Sequence, residues 1–334
     1  MPTWITSSER YFISKYRAAT LRGAVERAAV QERHLQEEQT TLIGLSFAPI
    51  NVEAIARKRR ITLTDDAQGV ECQEASLLPT KDGFLVRLRP HTSESRRRLS
   101  LAHEVGHTLF YRDAGLGPRH QVDLVEAREI LAEESICNMF AAALLMPWEC
   151  IKQGFQTLLE PSPQSVLQHL EQTARRLKVS IPALLQRVGH VRPEAPPFLA
   201  LYWRFKRQGS GTARLAVESC TAIGFDQKVC VWRNRSPEGV NLRVVSRLFD
   251  AWCRWTNDSS DPRTGCFTLD ERGDLVRTSI AHPAATHERL NVSVHRSGRW
   301  QATSLPARVS SWLYARPGTT ELEVYIISVA WPEA

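Results

Sequence analysis

Little in this chain points to an extracellular or membrane setting. Its seven cysteines, from Cys72 to Cys266, include no Cys-x-x-Cys pair. That excludes both the even-numbered disulfide framework of a small secreted domain and a cysteine-rich zinc knuckle. The cysteines read as free, mostly buried thiols. Long apolar runs are missing too: the longest, Met139 to Met146, spans eight residues, whereas a membrane helix needs roughly 18 to 20. The first 30 residues carry charges throughout, so no apolar signal core is seen and a cytoplasmic location is expected. Charge of one sign is scarce, with 43 Lys and Arg against 36 Asp and Glu, a net of +7. Spread over the chain and screened beyond about 8 Å at physiological salt, that excess is a weak sign of nucleic acid. Most of it lies past residue 197, where 18 basic residues meet 13 acidic ones. No internal repeat or low-complexity tract occurs.

What is present is enough for two soluble domains: 334 residues, 43% of them hydrophobic, each half long enough to bury its own core. Residues 1–47 read as a helical arm, with one long charged helix over 7–39 and a broken apolar stripe of Tyr11, Phe12, Tyr16, Ala19, Val25 and Ala29. Residues 48–190 mix a short helix (51–59), strands at 60–64 and 83–89, and helices at 95–111 and 124–146, the last stopped by Pro147. Residues 83–89 alternate as an exposed edge strand would. Two further helices, near 164–177 and 182–188, flank Lys178-Val179-Ser180, with Ser180 a plausible N-cap. Three prolines between Gly189 and Pro197 mark a linker at 191–197. Residues 198–334 carry strand patterns at 199–205, 214–222, 228–233, 290–295 and 321–331, one helix near 244–255, and seven of the nine tryptophans. The fold class expected is α+β, a mostly helical domain with a small sheet followed by a mixed domain.

The sharpest chemical signal is His103-Glu104-Val105-Gly106-His107 inside a predicted helix. Residues i and i+4 share a helix face, so both imidazoles can reach one ion, while Glu104, turned about 100° away, can work on water without being a ligand. A catalytic zinc site needs a third protein ligand and an open position. Glu134, in the next long helix, is favoured because an antiparallel return would aim it at the histidine face. Asp113 competes, but a turn back from His107 would call for glycine at position 110, where Phe110 stands. Glu133 is the alternative register. Gly106 is small enough for close helix approach, and Asn138 is a candidate hydrogen-bond support for a ligand.

The blocks Arg98 to His107 (RLSLAHEVGH) and Glu134 to Pro147 (ESICNMFAAALLMP) resemble the ImmA/IrrE family of zinc metallopeptidases. Pro49 to Ala56 (PINVEAIA) and Ala174 to Arg187 (ARRLKVSIPALLQR) extend the likeness over about residues 48–188. The resemblance implies a zincin-like peptidase domain with His103, His107 and Glu134 as Zn2+ ligands and Glu104 as general base. It departs at Ile136, where relatives often have a second Glu, and at Cys137, where they have Ala. Members cleave helix-turn-helix repressors, which makes such a repressor the expected partner and derepression of stress or mobile-element genes the expected outcome. The layout is most similar to the radiation-response branch, which implies helix-turn-helix-like terminal helices in 48–190 and a GAF-like sensor over 198–334.

Tyr111, His91 and His120 are candidate donors to an oxyanion, and the strand ending near Arg89 is a candidate for pairing with an extended substrate. A different class of reading is a non-proteolytic regulator that binds DNA through the helices around Lys178, or a small ligand among the C-terminal tryptophans. For the first, the simpler account is that Leu177, Val179, Leu184, Leu185 and Val188 are core; for the second, that the tryptophans are core.

Overall fold

The computed structural model describes residues 6–37, 49–65, 75–90, 93–111, 127–151, 163–191, 197–207, 213–225, 228–232, 234–258, 265–269, 272, 275–278, 286–317 and 322–332. Their contacts divide into two compact units, Met1–Cys150 with Ala174–Ser180, and Ile151–Thr173 with Ile181–Ala334. No helix among the described residues is long and apolar enough to cross a membrane.

In the first unit, the arm is two helices, not the single one its charge pattern suggests: α1 (Ser7–Lys15) and α2 (Leu21–Glu37). The break lies at Arg17, whose φ of 48° is left-handed and incompatible with helix continuation. Thr20 then restarts the helix, its hydroxyl accepting from Gly23 N at 3.1 Å. Thr6 and Glu9 form a capping box at the start of α1. The arm's apolar side is buried, with Phe12, Tyr16, Ala24, Val25, Ala28 and Ala29 at most 7% exposed.

Helix α3 (Val52–Lys58) is capped by Asn51, which accepts from Ala54 N at 3.0 Å. It leads into a three-stranded sheet of β1 (Ile61–Thr64), β2 (Ala75–Thr80) and β3 (Gly83–Leu88), ordered β1-β3-β2. Strand β3 pairs in parallel with β1 and antiparallel with β2. The edge position expected for residues 83–89 is therefore overturned: β3 is central, and both its ladders are occupied. Gly83 is required there, because at φ +155° a Cβ would sit 2.2 Å from Arg60 O.

Helices α4 (Glu94–Thr108) and α5 (Ala127–Leu145) pack on each other, and α4 also lies on β2 and β3. A Cβ on Gly106 would meet Cys137 Cα, Cys137 Cβ and Phe140 Cδ1, each at 3.2 Å, so the glycine permits the close crossing that brings the two helices' polar side chains together. The arm holds both helices. Backbone N–H groups of Ser7 and Ser8 donate to the Glu129 carboxylate on α5 at 2.9 and 3.1 Å, an acid at a helix N-terminus. Lys15 Nζ donates to Leu109 O at the end of α4, and Phe12 meets Phe110 at 5.4 Å. Arg59 pairs with the buried Glu32 carboxylate and donates to Thr108 Oγ1 at 3.2 Å.

Helix α6 (Pro163–Leu177) ends near the division between the units, and α7 (Ile181–Val191) belongs to the second. Of the linker read at 191–197, residues 192–196 lie outside the described residues. Within the second unit α7 packs on β5, where Thr221 Oγ1 donates to Leu185 O at 3.0 Å.

The second unit is built on an antiparallel sheet. Its strands are β4 (Phe198–Arg207), β5 (Ala213–Ile223), β6 (Val229–Cys230), β7 (Gly265–Leu269), β8 (Leu275–Thr278), β9 (Thr286–Arg296), β10 (Arg299–Pro317) and β11 (Leu322–Pro332). They run in the order β5-β4-β11-β10-β7-β8. The long β10 carries β11 on one edge over residues 307–317, and β9 then β7 on the other. A short helix α8 (Pro237–Val240) precedes the amphipathic α9 (Arg243–Asp258), which buries Val244, Val245, Leu248, Ala251 and Trp252. Trp203, Trp252 and Trp312 are core, whereas Trp232 and Trp300 are exposed.

Candidate metal centre

Helices α4 and α5 supply the side chains that face one another at the centre of the site. His103 and His107, four residues apart, turn their Nε2 atoms to within 3.0 Å of each other. Glu134 reaches across from α5, with Oε2 3.1 Å from His103 Nε2 and Oε1 3.4 Å from His107 Nε2. Ligand atoms of these three residues all lie within 4.8 Å of one another, and no other such group of three occurs among the described residues. Asp113, the competing third ligand, lies outside the described residues, as do His91 and His120.

The neighbours of this triad determine which ring nitrogens face inward. Glu133 Oε1 is 2.9 Å from His107 Nδ1, and Asn138 Oδ1 is 3.0 Å from His103 Nδ1. Both partners are acceptors, so each Nδ1 carries the proton and each neutral ring presents an Nε2 lone pair to the centre. Two lone pairs and the Glu134 carboxylate thus converge with no donor among them. Such a set coheres only around a cation or by protonating a ring, and the donor set therefore fits a metal ion.

With no cation in place, the electrostatics favour the second of these, a protonated ring that donates to Glu134. Burial opposes charge on His107, but hydrogen bonds with Cys137, Glu133 and Glu134 outweigh it and push its pKa up. Hydrogen bonds from His103 and His107 hold the Glu134 carboxyl well below the usual carboxylate range. Glu104, 6% exposed, is shifted the other way: burial raises its pKa against the pull of His107 and His103. Tyr111 stands nearby, half-buried, its ring edge-on to Phe84 at 4.8 Å, and burial raises its pKa so that the phenol stays a donor.

The structure thus brings together His103, Glu104, His107, Glu134 and Asn138. Two participants were not assigned these positions by sequence reasoning. Glu133, weighed there only as a ligand in another register, orients His107 from its Nδ1 side. Cys137, four residues further along the same helix face, hydrogen-bonds His107. The i, i+4 spacing of Glu133 with Cys137 was the available signal.

Residues 73–188 match the family model Peptidase_M78, described as an IrrE N-terminal-like domain. The "Radiation response metalloprotease IrrE" of Deinococcus deserti (strain DSM 17065 / CIP 109153 / LMG 22923 / VCD115) is 29% identical over 147 residues, 41% of this chain and 48% of the relative. The match spans about half the length of that relative. A solved "Mycobacterium tuberculosis transcriptional regulator" is similar with a TM-score of 0.44 and 14% identity over 97% of this chain and 79% of that one, a likeness too low to carry an argument. A metalloprotease family implies a metal ion, and the triad offers ligands for one. With its H-E-x-x-H helix packed against the helix that carries Glu134, the domain over residues 73–188 matches the ImmA/IrrE family of metallopeptidases in both sequence and local architecture.

Proposed function

We propose that this protein is a zinc-dependent metalloendopeptidase that cleaves a helix-turn-helix transcriptional repressor in the cytoplasm, releasing DNA-damage, other stress-response or mobile-element genes from repression. The observation that carries the reading is the convergence of His103, His107 and Glu134 with a buried Glu104 beside them. Two imidazoles and one carboxylate are the protein donor set of catalytic zinc, whose fourth position is left for water or substrate. Zinc held by His103, His107 and Glu134 would supply the Lewis acidity that acidifies water and polarises a scissile carbonyl.

The chain's own residues do the rest. Glu104, made more basic by burial, takes the proton of the attacking water and hands it to the leaving amine. Tyr111 donates its phenolic hydrogen to the developing oxyanion. Glu133 and Asn138 hold the two rings with their Nε2 atoms inward. Since β3 is enclosed, an extended substrate segment would add to an outer strand of the sheet, β1 or β2. A flexible loop of a repressor suits that mode better than a packed core. In this reading the C-terminal unit, GAF-like by resemblance, governs when the site acts. Among the described residues, no second convergence of metal-ligating side chains supports the DNA-binding or ligand-sensing alternative.

The test is cleavage, with and without zinc, of purified helix-turn-helix repressors from the same organism. Glu104→Gln is expected to keep zinc and lose cleavage, and Glu134→Gln to lose both. Repressors all intact in the presence of the zinc-loaded wild type would refute the substrate, and full cleavage by Glu104→Gln would refute the mechanism.

A further inference from the structure

The second unit holds a pair of thiols outside the chemistry described so far. Cys220 on β5 and Cys230 on β6 are both partly buried, and their side chains hydrogen-bond each other. The pairing is anchored by the backbone: Val231 N, the residue after Cys230, donates to Cys220 Sγ at 3.4 Å. Further along the same crossing, Val217 N donates to Arg235 O and Asn234 N to Val217 O, at 2.9 and 2.8 Å, so the segment after β6 is held against β5. The two sulfurs therefore meet on backbones already fixed side by side.

Cys230 also lines a solvent-open cavity of about 400 Å³, with Trp232, Arg235, Asn291, Ser293 and Thr303 among its walls. Trp232 Nε1 donates to Ser293 Oγ at 2.8 Å, and its ring meets Trp300 at 5.2 Å. These are two of the few large apolar side chains exposed among the described residues, 44% and 43%. A small molecule can reach Cys230 from this cavity, whereas Cys220 is not one of its walls.

We infer that Cys220 and Cys230 form a redox-active dithiol that closes into a disulfide when a hydroperoxide enters the cavity. Cys230 is the attacking sulfur. The hydrogen bond from Cys220 favours its thiolate and lowers its pKa to about 7 against the opposing effect of burial. The Cys230 thiolate attacks one peroxide oxygen, the O–O bond breaks, and a sulfenic acid and hydroxide form. The Cys220 sulfur then displaces the sulfenic oxygen, making the S–S bond, and its proton leaves with that oxygen as water. In sum, two thiols and one hydrogen peroxide give one disulfide and two waters, sulfur losing the two electrons that the peroxide gains.

The bond would tie β6 and the Trp232 segment covalently to β5, so it would be felt at the cavity rim. Trypsin cuts after Arg214, Lys228 and Arg233, which places Cys220 in peptide 215–228 and Cys230 in peptide 229–233. The experiment treats the reduced full-length protein with near-stoichiometric hydrogen peroxide, alkylates the remaining thiols and maps the digest without reductant. The expected product is peptide 215–228 linked to 229–233, with the link lost on reduction and a change in tryptophan fluorescence over the same titration. In Cys220→Ser, dimedone should trap a sulfenic acid on Cys230. Recovery of the two peptides separately alkylated, or dimedone labelling at other cysteines with Cys230 untouched, would overturn the inference.

Discussion

Removing the carboxylate behind His107 measures how far the metal centre depends on ring orientation. Glu133 Oε1 lies 2.9 Å from His107 Nδ1, and the two side chains are only 12% and 16% exposed, so solvent replaces this bond poorly. Groups that hold a ligand histidine from its other nitrogen are worth about 10- to 100-fold in metal affinity, or roughly 1.4 to 2.7 kcal/mol. Glu133→Ala leaves the Nδ1–H without its acceptor and should weaken zinc by about 100-fold, the upper end. Glu133→Gln keeps an acceptor but not its charge. A charge-assisted bond is about twice as strong as a neutral one, so the loss should fall to about tenfold. Zinc affinity by chelator competition, on protein verified as folded by circular dichroism, gives the order wild type, Gln, Ala. Unchanged affinity in Glu133→Ala would refute the orienting role. An affinity as low as that of Glu134→Ala would instead make Glu133 the ligand.

Three more outcomes are expected. Tyr111→Phe should lower kcat for repressor cleavage by about 100-fold with zinc retained, as loss of one oxyanion donor does; equal kcat would remove Tyr111 from the chemistry. Gly106→Ala sets helix propensity, worth about 1 kcal/mol in its favour, against a Cβ pressed to 3.2 Å on the Cys137 backbone. Overpacking typically costs about 1 to 3 kcal/mol, so the melting temperature should fall or hold while zinc affinity drops; a higher melting temperature with intact zinc binding would show that the helices part freely. In the second unit, Ser328 accepts from Trp203 Nε1 at 3.1 Å and meets Ser311 Oγ at 2.8 Å, all three residues being buried. Ser328→Ala strands the indole N–H and should cost about 1 to 3 kcal/mol by urea denaturation; a neutral effect would show that Ser311 alone satisfies the ring.

The sequence by itself determined whatever repeats along one chain segment. The four-residue spacing of His103 and His107 places both rings on one face of a helix wherever that helix goes, and the amphipathic pattern of 243–258 selects its buried stripe. The caps at Thr6 and Asn51 are local as well. Tertiary structure alone decided what depends on a partner distant in sequence. Glu133 and Glu134 are neighbours with the same chemistry, and only the angle at which α5 crosses α4 sends one carboxylate to Nε2 atoms and the other to Nδ1. Residues 83–89 carry an edge-like alternation, yet β1 arrives from another segment and encloses the strand. The break at Arg17 left no proline or glycine to read. Strand β10, with Pro306 and five serines, threonines or glutamines scattered through it, has no clean period and is defined by its ladders to β9 and β11. Side-chain periodicity is written into one segment, whereas pairing and convergence are properties of two, and the short sequence patterns around each carry no record of the other.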